Sequence, residues 1–269
     1  MTPIPAPITA QLALADASWQ PLLRAGLATM MAEQPDYLPA LAADHYLPTQ
    51  GRMFAAFTQP LNAVRYVLVG EGPYPREQSA TGVCFMDGAV ESLWSENGLS
   101  KQVNRATSLR NFIKMLLVAE RQLAVEHTTG AAMAQIAQQA RTSGSPWIQS
   151  LPQLQANLTR HGFLLLNAAL VFRPHVPPLK EAKAWLPFLH TVLAALAEQT
   201  QSHTPATLVL WGKIAASVNA LPVSASFSQS VSEHPYNLSF IANPTQQALF
   251  APLHLLRHDA PLIPRNTHK

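Results

Sequence analysis

The stretch Val67-Leu68-Val69-Gly70-Glu71-Gly72-Pro73-Tyr74-Pro75 decides how the rest of the chain is read. A short apolar run is broken by two glycines and two prolines, the pattern of a buried strand that ends in a tight loop. Open α/β sheets place their ligands at such loops, beyond the carboxyl ends of parallel strands. Glycine there lets backbone amides approach a ligand closely, and proline holds the loop rigid. By itself the pattern is common to many α/β proteins.

Outward from this strand, helices and strands alternate. Residues 1–16, punctuated by proline, read as a flexible lead, and 17–34 place Trp19, Leu22, Leu23 and Leu27 on one helical face. A short helix over 50–58 leads into the strand at 66–69, and residues 86–100 show no period and read as irregular surface. Leu109, Phe112, Ile113, Leu116 and Leu117 follow helical spacing over 108–123, with Thr107 or Ser108 able to cap the start. Lys101, Arg105 and Arg110 lie around that cap. A hydroxyl and cations at a helix N-terminus suit a phosphate, and equally describe an ordinary capped helix with solvated charges.

Residues 125–146 read as an extra surface helix and connection. A helix over 148–160 precedes a strand at 163–167, and Pro174, Pro177 and Pro178 stiffen the connection over 172–180. A helix over 180–200, a strand at 207–211, a helix over 213–220, a strand at 227–232 and a helix over 244–257 complete the chain. The expected fold is therefore α/β, a three-layer α/β/α sandwich with a mostly parallel central sheet of about four strands. After the lead, 17–269 reads as a single domain.

Hydrophobic residues make up 48% of the 269 and charged residues only 12%, which supports a packed core and argues against disorder. A net charge of +3 is compatible with a polyanionic partner without demanding one. The single cysteine, Cys84, excludes intramolecular disulfides, four-cysteine zinc sites and cysteine-held clusters, so a cytoplasmic home is the simplest. Met1 to Ala10 holds three prolines and no basic residue, unlike a secretory signal. No apolar run approaches the ~18 residues that span a bilayer.

Three further stretches stand in order along the chain: Leu164-Leu165-Leu166-Asn167-Ala168, Leu210-Trp211-Gly212 and His234-Pro235-Tyr236-Asn237-Leu238-Ser239. With the 67–75 stretch and Gly82-Val83-Cys84-Phe85, they resemble uracil-DNA glycosylases of family 1. That family carries a G-Q-D-P-Y-H loop, a G-x-x-F-S step, an L-L-L-N strand, an L-W-G strand end and an H-P-S-P-L-S loop. The resemblance runs from about Trp19 to His258. It departs at the loop aspartate that serves the attacking water, which is Gly72 here, at the glutamine, here Glu71, and at the loop histidine, here Pro75. Gly70-Glu71-Gly72-Pro73 resembles instead the G-E-x-P-G opening of family 4 enzymes, whose iron–sulfur cluster needs four cysteines that this chain lacks.

The resemblance implies a DNA repair glycosylase acting after base flipping, because the glycosidic bond is unreachable inside the stack. Asn167 would read uracil through an acceptor for N3–H and a donor for O4, a pattern that cytosine reverses. A strand-end asparagine alone would merely close a turn. Phe85 would stack on the base, Tyr74 would stand against C5, the amides of Glu71 and Gly72 would bind O2, and Gly70 would belong to the same substrate-binding loop. His234 would stabilise charge growing on the leaving uracil. Glu71, the one carboxylate of the loop, would orient water or balance the cationic sugar; its bland alternative is a solvent-facing glutamate. Leu238 would fill the gap left by the flipped base. Ser108, Lys213 and Ser239 would meet DNA phosphates.

No metal and no cofactor are implied, and the expected partner is uracil-containing DNA, bound by a monomer. The alternative is a protein of the same fold that holds DNA or a protein partner with weak or no catalysis.

Overall fold

The computed structural model describes residues 3–200 and 206–258. Met1, Thr2, residues 201–205 and 259–269, which the expected lead and domain included, lie outside the described residues. The chain forms two compact units. The first comprises Met1–Gly88, Gly162–Val209 and Ala216–Gln229; the second comprises Ala89–His161, Leu210–Ala215 and Ser230–Lys269.

The strands are β1 (Tyr66–Gly70), β2 (Trp94–Ser95), β3 (Gly98–Leu99), β4 (Phe163–Asn167), β5 (Thr207–Trp211) and β6 (Ser228–Ser232). The four-stranded sheet runs β4-β1-β5-β6, and β2 and β3 form a small antiparallel hairpin. With the helices connecting these strands, the fold is the α/β class expected. β1 and β4 pair in parallel from Tyr66 opposite Phe163 to Gly70 opposite Asn167. Val67 to Val69 and Phe163 to Leu166 are at most 2% exposed, the two-sided burial that continuous apolar runs of parallel strands require. Because the register is even, both strands end together, and the loop after Gly70 starts beside Asn167.

In the first unit, helix Gln20–Glu33 packs on helix Pro178–Thr200. A Cβ on Gly26 would lie 2.8 Å from Cδ2 of Phe188, so only glycine permits that approach. Trp19, Phe54, Phe57, Trp185 and Phe188 fill this core with edge and tilted ring contacts. The segment expected as a flexible lead differs: Ala6–Thr9 and Ala10–Leu14 are helical turns. Ile8 and Leu12, one helical turn apart, are buried and anchor it. Proline was the misleading signal, since Pro5 precedes the first turn, where its fixed φ suits a helix start.

In the second unit, helix Thr107–Ala119 buries the expected Leu109, Phe112, Ile113, Leu116 and Leu117. Its start differs from expectation. Ser100 caps a preceding short helix, Lys101–Arg105, and the N-cap of the longer helix is Ala106, with no side-chain cap. Thr107 and Ser108 are already inside its first turn. Residues 86–100 also differ from the expected irregular surface: Met86, Val90, Leu93, Trp94 and Leu99 are buried. Helix Gly130–Arg141 covers the β2–β3 hairpin, and the Trp94 indole donates to the Ile148 carbonyl at 2.7 Å. A two-residue strand pair is too short to show a period, which is why its burial was illegible. Helix Leu151–Arg160 starts in a capping box built by Ser150 and Gln153. Among the described residues no helix is long and apolar enough to cross a membrane.

Candidate functional site

Six candidate residues lie in the first unit, around the paired ends of β1 and β4. The Ala168 amide donates to the Gly70 carbonyl at 2.8 Å and the Ala169 amide to the Glu71 carbonyl at 3.1 Å, tying the loop to the residues after Asn167. A Cβ on Gly70 would lie 2.5 Å from the Cys84 sulfur and 3.1 Å from Oδ1 of Asn167. Gly70 is therefore glycine because the asparagine side chain and the thiol occupy the space a side chain needs. Asn167 is only 4% exposed, yet its side-chain amide has no hydrogen-bond partner among the described residues. Buried amides are nearly always paired, so one that is not calls for an explanation.

Gly72 is exposed, has no left-handed φ, and a Cβ there would make only ordinary contacts, 3.6 Å to the Ala169 carbonyl oxygen and 3.9 Å to the Ala169 Cβ. Glu71 is exposed, and its carboxylate has no hydrogen bond or ion pair among the described residues. Tyr74 is half-buried; burial first, then the neighbouring Cys84 and Asp87, push its phenol well above the ordinary range, so it stays neutral. Phe85 adopts φ +67°, in the left-handed region that costs a non-glycine residue about 1–2 kcal/mol, a strain typical of functional loops. The loop that carries it is held from below. Thr81 Oγ1 donates to the Met86 carbonyl at 3.0 Å, and Gly82, at φ +81°, has no room for a Cβ, which would meet the Arg52 carbonyl at 2.1 Å.

Burial pushes the Cys84 thiol up from 9.0 to about 12. A thiol-reactive dye should leave Cys84 unlabelled in the folded protein at mildly alkaline pH and label it on denaturation; ready labelling of the folded chain would contradict this placement. The folded value lies above the unfolded one. The thiol's stabilising contribution is therefore complete below pH 9.0 and lost as pH rises toward about 12. Urea titrations of Cys84→Ala should show a shallower alkaline loss than the unmodified chain.

The remaining candidates lie in the second unit. Trp211 ends β5, and its indole donates to Oε1 of Gln246 at 2.9 Å, while Gln246 Nε2 donates to Ser230 Oγ at 2.9 Å. Rings of Phe112, Trp211, Phe240 and Phe250 pack around this network. Gly212 follows at φ +75°, where a Cβ would lie 2.9 Å from the Cβ of His234. Its amide donates to the Ser232 carbonyl at 2.9 Å, holding the start of the histidine loop.

His234 is exposed, and its Nδ1 accepts from the Tyr236 amide at 3.1 Å. An acceptor nitrogen carries no proton, so in this arrangement the neutral ring bears its N–H at Nε2. Leu238 is 70% exposed. The Ser239 hydroxyl instead serves the loop: it and Asn243 hydrogen-bond Glu233, the latter at 2.9 Å. Partial burial acts to raise the Glu233 carboxyl, but those donors and its own amide outweigh it and hold the group below the usual carboxylate range. Lys213 is exposed, and Ser108 is half-buried as the second residue of its helix.

A residue that no motif marks holds this loop. Asn111, fully buried on helix Thr107–Ala119, donates through Nδ2 to the Pro235 carbonyl at 2.8 Å and reaches those of Tyr236 and Asn237 at 3.4 Å. Asparagine at an inward helix position was the available signal, because its amide costs stability unless it is paired. Asn111→Ala should lower the unfolding free energy by about 1–3 kcal/mol and speed hydrogen exchange at the Tyr236 amide. Unchanged exchange would show that the loop holds its shape without the clamp. Among the described residues no cluster of three or more His, Cys, Asp or Glu is arranged to hold a metal.

The profile of the uracil DNA glycosylase superfamily matches residues 57–254. The chain is 29% identical over 229 residues to the uracil-DNA glycosylase of Mycobacterium sp. (strain KMS), spanning 84% of this chain and 83% of that protein. It is 28% identical over 230 residues to uracil-DNA glycosylase 1 of Streptomyces coelicolor, with 84% and 83% covered. Among solved structures, the UNG of Nitratifractor salsuginis superimposes with a TM-score of 0.85 at 38% identity, covering 96% of this chain and 99% of that one. The chain belongs to the uracil DNA glycosylase superfamily.

Proposed function

We propose that this chain excises uracil from DNA by hydrolysing the N-glycosidic bond of an extruded deoxyuridine. The observation that carries the reading is the nearly buried Asn167 amide, left without a hydrogen-bond partner among the described residues at a strand end where Gly70 has been kept bare to admit it. In the proposed reaction the C1′–N1 bond breaks, its electron pair leaves with uracil, and a water oxygen bonds C1′ and loses a proton. Asn167 pairs with N3–H and O4, and rejects cytosine because both its groups would be left unpaired. Neutral Tyr74 excludes a C5 methyl, and Phe85 stacks on the base. The backbone at Gly70, Glu71 and Gly72 lines the O2 side. His234 donates its Nε2–H to O2 as charge develops there, an arrangement that needs the neutral ring the Tyr236 amide selects. Leu238 fills the vacated stack, Lys213 and Ser108 serve the phosphates, Ser239 holds the loop through Glu233, and Glu71 serves the water. The protein acts as a monomer in the cytoplasm, without metal or cofactor.

Single-turnover release of uracil from a single-stranded oligonucleotide tests this. The unmodified chain should yield abasic product, Asn167→Ala and His234→Ala should each lose on the order of 10²- to 10³-fold, and Glu71→Gln should lose about 10²-fold. Full activity in Glu71→Gln would remove that residue from the water step alone. A second reading, DNA binding without efficient catalysis, is favoured by one observation: Gly72 brings no carboxylate to the loop. Tight binding with no product at excess protein would decide for it.

A further inference from the structure

Of the exposed large apolar side chains among the described residues, Tyr236 is the one aromatic, 68% exposed and two residues before Leu238. Its backbone is fixed on both sides: the amide donates to His234 Nδ1, and the carbonyl faces the buried Asn111 clamp at 3.4 Å. The ring hangs from a held backbone and contributes little to the core. An aromatic kept bare in this way has a large area to offer at small entropic cost. A cation stands on the same unit: Gly212 packs against His234, and the next residue, Lys213, is exposed. Exposed aromatic rings together with exposed cations are what bind single-stranded nucleic acid, bases on the ring and phosphates on the charge.

Resting on the glycosylase reading, we propose that Tyr236 is a second finger beside Leu238, stacking on the base next to the extruded deoxyuridine in the same strand, and so favouring single-stranded or locally opened DNA. The ring supplies what a paired duplex withholds, a partner for an unstacked neighbour. The Tyr236 amide bond to His234 is unaffected by side-chain changes, so truncation removes the finger and keeps the electrophile in place.

The test uses the full chain with a single-stranded oligonucleotide carrying a non-cleavable 2′-fluoro-deoxyuridine flanked by 2-aminopurine. The unmodified chain should change the 2-aminopurine emission on binding. Tyr236→Ala should abolish that change and weaken binding on the order of 10-fold, with a smaller loss on duplex, while Tyr236→Phe and Tyr236→Trp restore both. Thermal melts of the variants should coincide, since the ring is exposed. Equal emission change and affinity in Tyr236→Ala would overturn the proposal. If uracil release persists in that case, the glycosylase reading stands and the finger alone fails; a chain that neither releases uracil nor binds the oligonucleotide sinks both.

Discussion

Gly72→Asp should raise the rate of uracil release on the order of 10²-fold, the scale of a positioned carboxylate acting on water. The family's loop has its aspartate at this position, and two features of the structure say the side chain will be accepted. Gly72 lies outside the left-handed region, so an L-residue adds no backbone strain there. Its Cβ would meet only Ala169, at 3.6 and 3.9 Å, which is ordinary contact. The residue is also exposed, so the new carboxylate carries little desolvation cost. Single-turnover kinetics at saturating protein isolates the chemical step. Combining Gly72→Asp with Glu71→Gln asks whether the two carboxylates do the same work. If Glu71 already serves the water, the double variant should recover most of what Glu71→Gln loses. An unchanged rate in a folded Gly72→Asp chain would mean that water attack is not what limits this enzyme.

Gly70→Ala should have the largest opposite effect. The added methyl meets the Cys84 sulfur at 2.5 Å and Asn167 Oδ1 at 3.1 Å, so something must shift. Overpacking of this kind costs about 1–3 kcal/mol of stability. The effect on uracil release should be larger than stability predicts, on the order of 10²-fold, because the displaced Asn167 then misses two hydrogen bonds at once. The double variant Gly70→Ala/Cys84→Ala separates the two contributions. Removing the sulfur leaves the added methyl 3.6 Å from the residue 84 Cβ, so thermal stability should return toward normal. The contact with Asn167 is untouched, so activity should remain low. Recovery of activity together with stability would show that Asn167 tolerates the shift and is not the reader.

The elements differ in how legible they are in the sequence. The strands at 66–70, 163–167, 207–211 and 228–232 were legible within a residue or so, because each is a short apolar or alternating run between turn residues. Helix Thr107–Ala119 was legible from its spacing, but its start was not: Ser100 caps the short helix Lys101–Arg105 that runs into it, and the longer helix starts from Ala106 with no side-chain cap, so neither Thr107 nor Ser108 fills that role. The helix at 244–257 ends earlier, at Phe250, and passes into a tight turn over Ala251–Leu253. Residues 86–100 and 6–14 were misread because burial there depends on partners distant in sequence, such as Ile148 for Trp94.

The candidate residues themselves were present in the sequence as motifs, and what the motifs could not contain was the state of each side chain. Local sequence determined that Gly70 and Asn167 each end a strand, since strand length is set by where the apolar run stops. Only the parallel register of β1 and β4 put them opposite each other and left the Asn167 amide unpaired. The sequence likewise named His234, but its neutral tautomer comes from the Tyr236 amide, and that amide is held by Asn111 from a helix more than a hundred residues away. Motifs record which groups the chemistry needs. Pairing, burial and protonation depend on what the fold brings within hydrogen-bond distance, and those partners are set by chain crossings that no local stretch encodes.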